Sequence, residues 1–306
     1  MPDEASAAQN AHCGFAAVIG APNAGKSTLV NALVGAKVSI VTHKAQTTRA
    51  RMRGIAIAGK SQIVLVDTPG IFTPKRRLDR AMVETAWTEA READVAIIVV
   101  DAARGLDDVV EPVFRQAGEL AIPLVLALNK VDKIEKAKLL ALAAEASKRL
   151  PFEQLFMVSA LSGHGVEDLK AYLAGRMPRG PWLFPEDQIA DAPLRQWAAE
   201  VTREKMFLRL HEEIPYSSTV ETNDWKQLKD GSIRIEQTIF VERESQRKIV
   251  LGAKGQAIKQ ISMEARSEIG EGIETPVHLF LFVKVRENWA DDPERYREMG
   301  LEFPKS

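Results

Sequence analysis

Short apolar runs punctuate the first half of the chain. They lie at 14–20 (GFAAVIG), 63–67 (IVLVD), 95–101 (VAIIVVD), 123–129 (PLVLALN) and 155–159 (LFMVS). Runs of this length, closed by turn formers, suit strands buried on both faces. Segments of helical period lie between them, at 26–34, 76–91 and 135–149. Apolar strands alternating with helices predict βαβ units, a mostly parallel sheet and helices on both faces. The pattern stops near Met177. Residues 177–193 carry four prolines and read as a linker, pinned by Trp182 and Phe184. A different order follows. Residues 194–211 have a helical apolar period through Trp197, Val201, Met206 and Leu210. SSTVET and SIRIEQTIFV alternate as strands do, the second following an Asp230-Gly231 turn signal. Residues 248–261 contain a glycine pair and a helix, and 276–285 a last strand. Helix, strand, strand, helix, helix, strand predicts a small α+β domain.

Length agrees with two domains in 306 residues. The boundaries drawn are a disordered extension over 1–12, an α/β domain over 13–177, the linker over 178–193, and the α+β domain with its tail over 194–306. Net charge is −1, which excludes a uniformly basic nucleic-acid binder and leaves room for a local basic patch. The single cysteine, Cys13, allows neither an internal disulfide nor a cysteine-held zinc. No apolar run reaches about 18 residues, and the first dozen lack the order of a signal peptide. A cytoplasmic protein is expected.

Four short motifs add chemistry. Gly20-Ala21-Pro22-Asn23-Ala24-Gly25-Lys26-Ser27 matches G-x-x-x-x-G-K-[ST], between an apolar strand and a helix. Backbone N–H groups there can curl around phosphates, Lys26 can reach the β- and γ-phosphates, and Ser27 can hold Mg²⁺. Asp67-Thr68-Pro69-Gly70 ends the second strand; Asp67 can hold the magnesium through water and Gly70 can offer its N–H to the γ-phosphate. Asn129-Lys130-Val131-Asp132 ends a later strand. The Asp132 carboxylate accepts from two donors, which guanine presents on one edge and adenine does not. Ser159-Ala160-Leu161 ends the last strand, where a backbone N–H can meet the base oxygen. All four sit at carboxyl ends of strands, where open α/β sheets bind ligands. Together they resemble the translation-factor-like P-loop GTPases.

That resemblance implies a switch loop around Ala45-Gln46-Thr47-Thr48-Arg49, with Thr48 completing the magnesium shell when the γ-phosphate is present. Thr47 and Thr48 then form one switch, and Asp67, Thr68, Pro69, Gly70 and Ile71 the other. Ile71 stands where many signalling GTPases carry a water-positioning glutamine. Its side chain cannot hydrogen-bond a water, so slow intrinsic hydrolysis is expected. In relatives with this loop, the residue matching Asn23 helps hold a K⁺.

In the second half, Gly252-Ala253-Lys254-Gly255 lies between two helical segments of the small α+β domain. A G-x-x-G loop in that context is the device by which KH domains clamp about four nucleotides. Residues 243–266 hold six basic and two acidic side chains, a local excess of four. Arg247, Lys248, Lys254 and Lys259 are the candidate phosphate contacts beside Ala253 and the two glycines. Ile249, Val250, Leu251, Ile258 and Ile261 read as core and groove floor, and Lys75-Arg76-Arg77 as a solvated segment.

The strings GAPNAGKSTLVNALVG, KAQTTR, DTPG, NKVD and SAL, with FPEDQI, REKM, EIPYS, VERESQRKIVLGAKGQAIKQI, TPVHLFLFVKV and WADD, resemble the bacterial Era family over about residues 14–295. The resemblance implies an α/β P-loop GTPase domain followed by a type II KH domain. It implies GTP or GDP as ligand with Mg²⁺, the phosphates on 20–28 (Thr28 included), and guanine on Asn129, Lys130, Asp132, Ser159 and Ala160. It implies a monomer that binds the 3′ end of 16S ribosomal RNA and serves 30S subunit assembly, with peripheral association at the inner face of the cell membrane. The alternative is a GTP-gated membrane or cell-cycle switch whose second domain binds protein or lipid.

Overall fold

The computed structural model describes residues 11–44, 47–49, 52–191, 193–211 and 213–304. Residues 1–10 of the expected extension, and Ala45 and Gln46 of the expected switch loop, lie outside them. Two compact units emerge. One comprises Met1–Ser39, Thr48–Asp191 and Met299–Ser306; the other comprises Ile40–Thr47 and Ala192–Glu298.

The first unit is built on β1 (His12–Gly20), α1 (Lys26–Val34), β2 (Met52–Ala58), β3 (Ser61–Asp67), α2 (Arg77–Glu92), β4 (Val95–Asp101), α3 (Glu111–Ala117), β5 (Leu124–Asn129), α4 (Lys136–Arg149), β6 (Gln154–Met157) and α5 (Val166–Arg176). Its sheet has the order β2-β3-β1-β4-β5-β6. Only β2 runs antiparallel, against β3. Alternation along the buried strands serves both faces. Ala16 and Val18 of β1 pack with Leu29, Leu33, Leu169 and Leu173 from α1 and α5. Ala17 and Ile19 pack with Trp87, Phe114, Leu139 and Leu142 from α2, α3 and α4. Each fully buried leucine of that kind contributes about 1.5–3 kcal/mol.

Local chemistry sets the helix ends. Gly35 closes α1 at φ +83°. Asp79 accepts the N–H groups of Lys75 and Arg76, both at 3.0 Å, and so caps the start of α2. Arg77 lies over the Phe303 ring at 5.1 Å, so the basic segment is partly engaged rather than fully solvated.

His12, the last residue of the expected disordered extension, instead begins β1: Cys13 N–H reaches the Pro178 carbonyl at 3.0 Å and His12 N–H the Lys60 carbonyl at 3.1 Å. The proline-rich stretch is likewise docked on this unit. Gln62, fully buried, accepts the N–H groups of Leu183 and Phe184 and donates to the Phe184 carbonyl. Trp182 donates to the Lys60 carbonyl at 3.1 Å.

The second unit contains α6 (Leu194–Arg209), β7 (Ser218–Gln227), β8 (Ile233–Val241), α7 (Glu244–Leu251), α8 (Gln256–Gly272), β9 (Val277–Val285) and α9 (Pro293–Glu298). Its sheet is β7-β8-β9, with β7 antiparallel and β9 parallel to β8. The parallel pair requires a crossover, which α7 and α8 supply. Ile235, Ile239 and Val241 of β8 point to the helical face, against Val201 and Met206 of α6, Val250 of α7, and Ile261 and Ala265 of α8. Ile249 departs from the expected core, being 50% exposed. Trp289 is buried and donates to the Ser217 carbonyl at 3.0 Å.

Candidate functional site

The loop Gly20–Gly25 turns directly from β1 into α1. Gly25 stands at φ +92°, and a Cβ there would lie 2.3 Å from Asn129 Nδ2. Only glycine satisfies both limits. Asn23 takes the left-handed conformation at φ +63°. Lys26 is buried, with Nζ donating to the carbonyls of Gly20 (3.2 Å) and Ala21 (3.0 Å). Burial pushes its pKa down to about 8, against the pull of Asp67. A buried ammonium held only by carbonyls is poised for an anion.

Asp67 is fully buried at the end of β3, and burial raises its carboxyl pKa while the Ser27 hydroxyl and Lys26 oppose the rise. Ser27 Oγ donates to Asp67 Oδ2 at 2.7 Å. Thr48 Oγ1 lies 3.0 Å from Ser27 Oγ and 3.4 Å from Asp67 Oδ2. Among the described residues, Asp67 Oδ1 has no hydrogen-bond partner. Three hard oxygen donors converge there, one with an unused buried oxygen, and this suits a small divalent cation such as Mg²⁺.

The Asp67–Gly70 turn is sewn to the phosphate loop. Thr68 Oγ1 donates to the Val18 carbonyl at 2.7 Å and Ile71 N–H to the Gly20 carbonyl at 3.0 Å. At Gly70 a Cβ would sit 3.0 Å from the Pro22 backbone. Ile71 is buried in the core with Ala17 and Ile19, facing away from solvent water.

At the other end of the pocket, Asn129 joins three loops. Its Nδ2 donates to the Ala24 carbonyl at 2.9 Å, and its Oδ1 accepts the N–H groups of Lys130 (2.8 Å) and Ala160 (3.0 Å). Lys130 Nζ reaches the Asn23 carbonyl and Asp101 Oδ2, both at 2.6 Å. Asp132 is exposed, and the hydroxyl of buried Ser159 holds its carboxyl below the usual range. The carboxylate therefore stays ionised and acceptor-only. Asp101 escaped the sequence reading, although it ends the VAIIVVD run as Asp67 ends IVLVD.

In the second unit, Gly252 (φ +72°) ends α7 and Gly255 (φ +75°) opens α8. A Cβ on Gly252 would lie 2.7 Å from Ala257 Cβ; on Gly255 it would meet nothing within 4 Å. Ala253 and Lys254 are exposed at the tip, and Lys248 and Lys259 are exposed on the flanking helices. Arg247 is more constrained: it donates to the Val283 carbonyl at 3.3 Å and pairs with Glu244 at 2.9 Å.

These features define a P-loop nucleotide-binding unit followed by a KH unit. The family models agree: "50S ribosome-binding GTPase" matches residues 15–130 and "KH domain" residues 213–290. The chain is 62% identical over 305 residues to GTPase Era of Afipia carboxidovorans, covering 100% of this chain and 98% of that protein. It is 64% identical over 293 residues to GTPase Era of Bradyrhizobium sp. strain BTAi1, covering 96% and 95%. It therefore belongs to the Era family, and it is a GTPase. Among solved structures it resembles Aquifex aeolicus Era bound to GDP and aluminium fluoride (TM-score 0.89, 39% identity, 94% of this chain and 99% of that one). It equally resembles Era in complex with MgGDPNP and nucleotides 1506–1542 of 16S ribosomal RNA (TM-score 0.89, 40% identity, 95% and 99%).

Proposed function

We propose that this chain is a GTP-driven RNA switch that binds the 3′ end of small-subunit ribosomal RNA through its KH unit and acts in 30S subunit assembly. One observation carries the reading: a Gly252–Gly255 turn with an exposed Ala253-Lys254 tip between basic helices shares a chain with a phosphate loop whose Lys26 is buried. The solved Era complex with 16S nucleotides supports it. In this reading the loop 20–28 receives the phosphates through Lys26 and its backbone N–H groups (Pro22 has none), and Gly70 receives the γ-phosphate. Ser27 and Thr48 would hold Mg²⁺, with Asp67 acting through water, and the ion would supply positive charge beside the phosphates. Asp132 pairs with the guanine donors, while Asn129, Lys130, Ser159 and Ala160 shape the pocket around the base. Gly252 to Gly255, with Lys248, Lys254, Lys259 and Arg247, clamp the RNA backbone.

Buried Ile71 orients no water, so turnover is slow. Asn23, exposed at the loop tip, contributes to a K⁺ site. Faster turnover in KCl than in NaCl is expected; equal rates would remove that site. We place the protein in the cytoplasm as a monomer, and among the described residues no helix is long and apolar enough to cross a membrane.

The test is titration with a short RNA matching that 3′ end, with a GTP analogue and with GDP, at two salt concentrations. Tighter binding with the analogue, weakened by salt, is expected. Binding to anionic vesicles instead, with no RNA affinity, would favour the membrane switch. Asp132→Asn should turn the preference from guanine toward xanthine nucleotides, and an unchanged GTP preference would remove the base contact.

A further inference from the structure

Asp101 ends β4 beside the pocket, and its place is set from several sides within the first unit. It stands opposite Asn129 in the parallel β4–β5 ladder, and the Ala102 N–H beside it donates to the Asn129 carbonyl at 2.8 Å. Its own carbonyl accepts the N–H groups of Arg104 (3.1 Å) and Gly105 (3.0 Å), which turns the chain. Its Oδ1 accepts the Ala103 N–H at 3.0 Å. With one carboxylate oxygen held by the turn, the other is aimed at Lys130, whose Nζ donates to Oδ2 at 2.6 Å. The pair is mostly sheltered: the Asp101 side chain is 12% exposed and that of Lys130 27%.

Lys130 carries the tie across to the phosphate loop. Its Nζ also donates to the Asn23 carbonyl at 2.6 Å, and its Cε would lie 3.7 Å from a Cβ at Gly25. Both ends of the tie have left-handed backbone, Lys130 at φ +64° and Asn23 at φ +63°. Neither is glycine, and such a backbone persists only where its surroundings hold it. Asn129 supplies one hold, from Nδ2 to the Ala24 carbonyl and from Oδ1 to the Lys130 N–H. The Lys130 side chain supplies the other. An ammonium on a flexible four-carbon stem has no fixed direction of its own, and the Asp101 carboxylate gives it one. Shared between a carboxylate and a carbonyl, the ammonium makes a charge-assisted contact on each side.

We infer that Asp101 is a positioning residue for nucleotide binding: it holds the Lys130 ammonium on the Asn23 carbonyl, so that the loop for the phosphates and the loop for the base stand in register before ligand arrives. The inference rests on the reading that 20–28 and Lys130 receive the nucleotide. Asp101 itself touches no ligand. Preorganisation of this kind lowers the ordering cost of binding. The tie ends on Asn23 and does not include Gly70 on the γ-phosphate side, so GDP and GTP share its effect.

The test uses the full chain with Mg²⁺ and measures affinity and dissociation rate for GDP and for a GTP analogue. Asp101→Asn offers one acceptor oxygen to two donors. It should weaken both nucleotides about five- to tenfold, chiefly through faster dissociation, and leave their ratio unchanged. Asp101→Ser keeps an acceptor for the turn but no carboxylate for Lys130, so the same loss is expected, and it carries the test if the amide variant does not fold. Lys130→Met should also weaken both nucleotides. Adding Asp101→Ser to it should cost less than about twofold more, since the two act in series. A residue that only capped the 101–105 turn would lower affinity whether or not Lys130 were present. Losses that multiply in the double variant, or unchanged affinity in folded Asp101→Ser protein, would overturn the positioning role alone. Unchanged affinity in Lys130→Met would overturn the reading of Lys130 and the inference with it.

Discussion

Two glycine loops serve this molecule, and both turn into the start of a helix through a residue with positive φ. At Gly25 the turn is enclosed: the position of a Cβ is already taken by Asn129. At Gly255 it stands in open space. The lysines beside them differ in the same way. Lys26 is buried and loses proton affinity; Lys254 is exposed at the tip. An enclosed loop suits a small polyanion, whose contacts gain strength from a dry site. In the function proposed above the KH loop meets a polymer that must pass across it, and an open loop working in water, where salt competes, suits that role.

That comparison is sharpest at the lysines. Lys26→Ala should reduce GTP and GDP affinity about 100-fold or more, because two charge-assisted bonds disappear from a desolvated site. Lys254→Ala should weaken RNA by roughly tenfold or less and lower the salt slope by about one. Comparable losses measured by titration would break the distinction. The glycines come next. Gly25→Ala should cost about 2–4 kcal/mol in thermal or denaturant unfolding, through a clash and a left-handed backbone. Gly255→Ala should cost about 1 kcal/mol, from the backbone alone, and leave GTP affinity intact. Gly255→Asp should remove RNA binding by repelling phosphate, with GTP affinity again intact.

Near neutral pH the smallest effect is a pH dependence. In the nucleotide-free protein Lys26 falls from 10.5 to about 8. Below about 8 it is charged in free and bound protein alike, and its contribution to affinity is flat. Above about 8 the free protein loses that proton, and phosphates restore it. Nucleotide binding should then take up a proton, and affinity should fall by up to tenfold per pH unit until the lysine of the bound protein also titrates. The unfolded chain keeps this proton longer than the folded one. Raising pH from about 8 toward 10.5 therefore removes a destabilising contribution from the free protein. Calorimetry in two buffers of different ionisation enthalpy reads the proton directly.

Much of the architecture was legible because its signals are local. The buried strands are short unbroken apolar runs, and β4 falls on 95–101 as expected. The edge strand β2 escaped because MRGIAIA carries a glycine and follows a polar stretch without period. Its place depends on β3 alone, since it pairs antiparallel at the end of the sheet. Helix α5 escaped because residues 166–176 hide their apolar positions among glycine, lysine and arginine. Ile249 misled because an apolar residue between apolar neighbours can still point outward on a one-sided helix. The motifs were legible because each is a short contiguous string at the end of an apolar strand. Asp101 was not, because its role appears only when β4 and β5 lie side by side, Asp101 opposite Asn129, and Lys130 comes within reach.

The sequence by itself determined the order of strands and helices, the two glycine loops, the strand-end acids and the concentration of charge around the second loop. Those are properties of neighbours along the chain, set by backbone period and glycine freedom. Tertiary structure decided the burial of Lys26 and Asp67, the joining of three loops by Asn129, and the membership of Ile40–Thr47 in the second unit and Met299–Ser306 in the first. Each of these depends on segments far apart in sequence packing side by side. No pattern within a dozen residues carries that information.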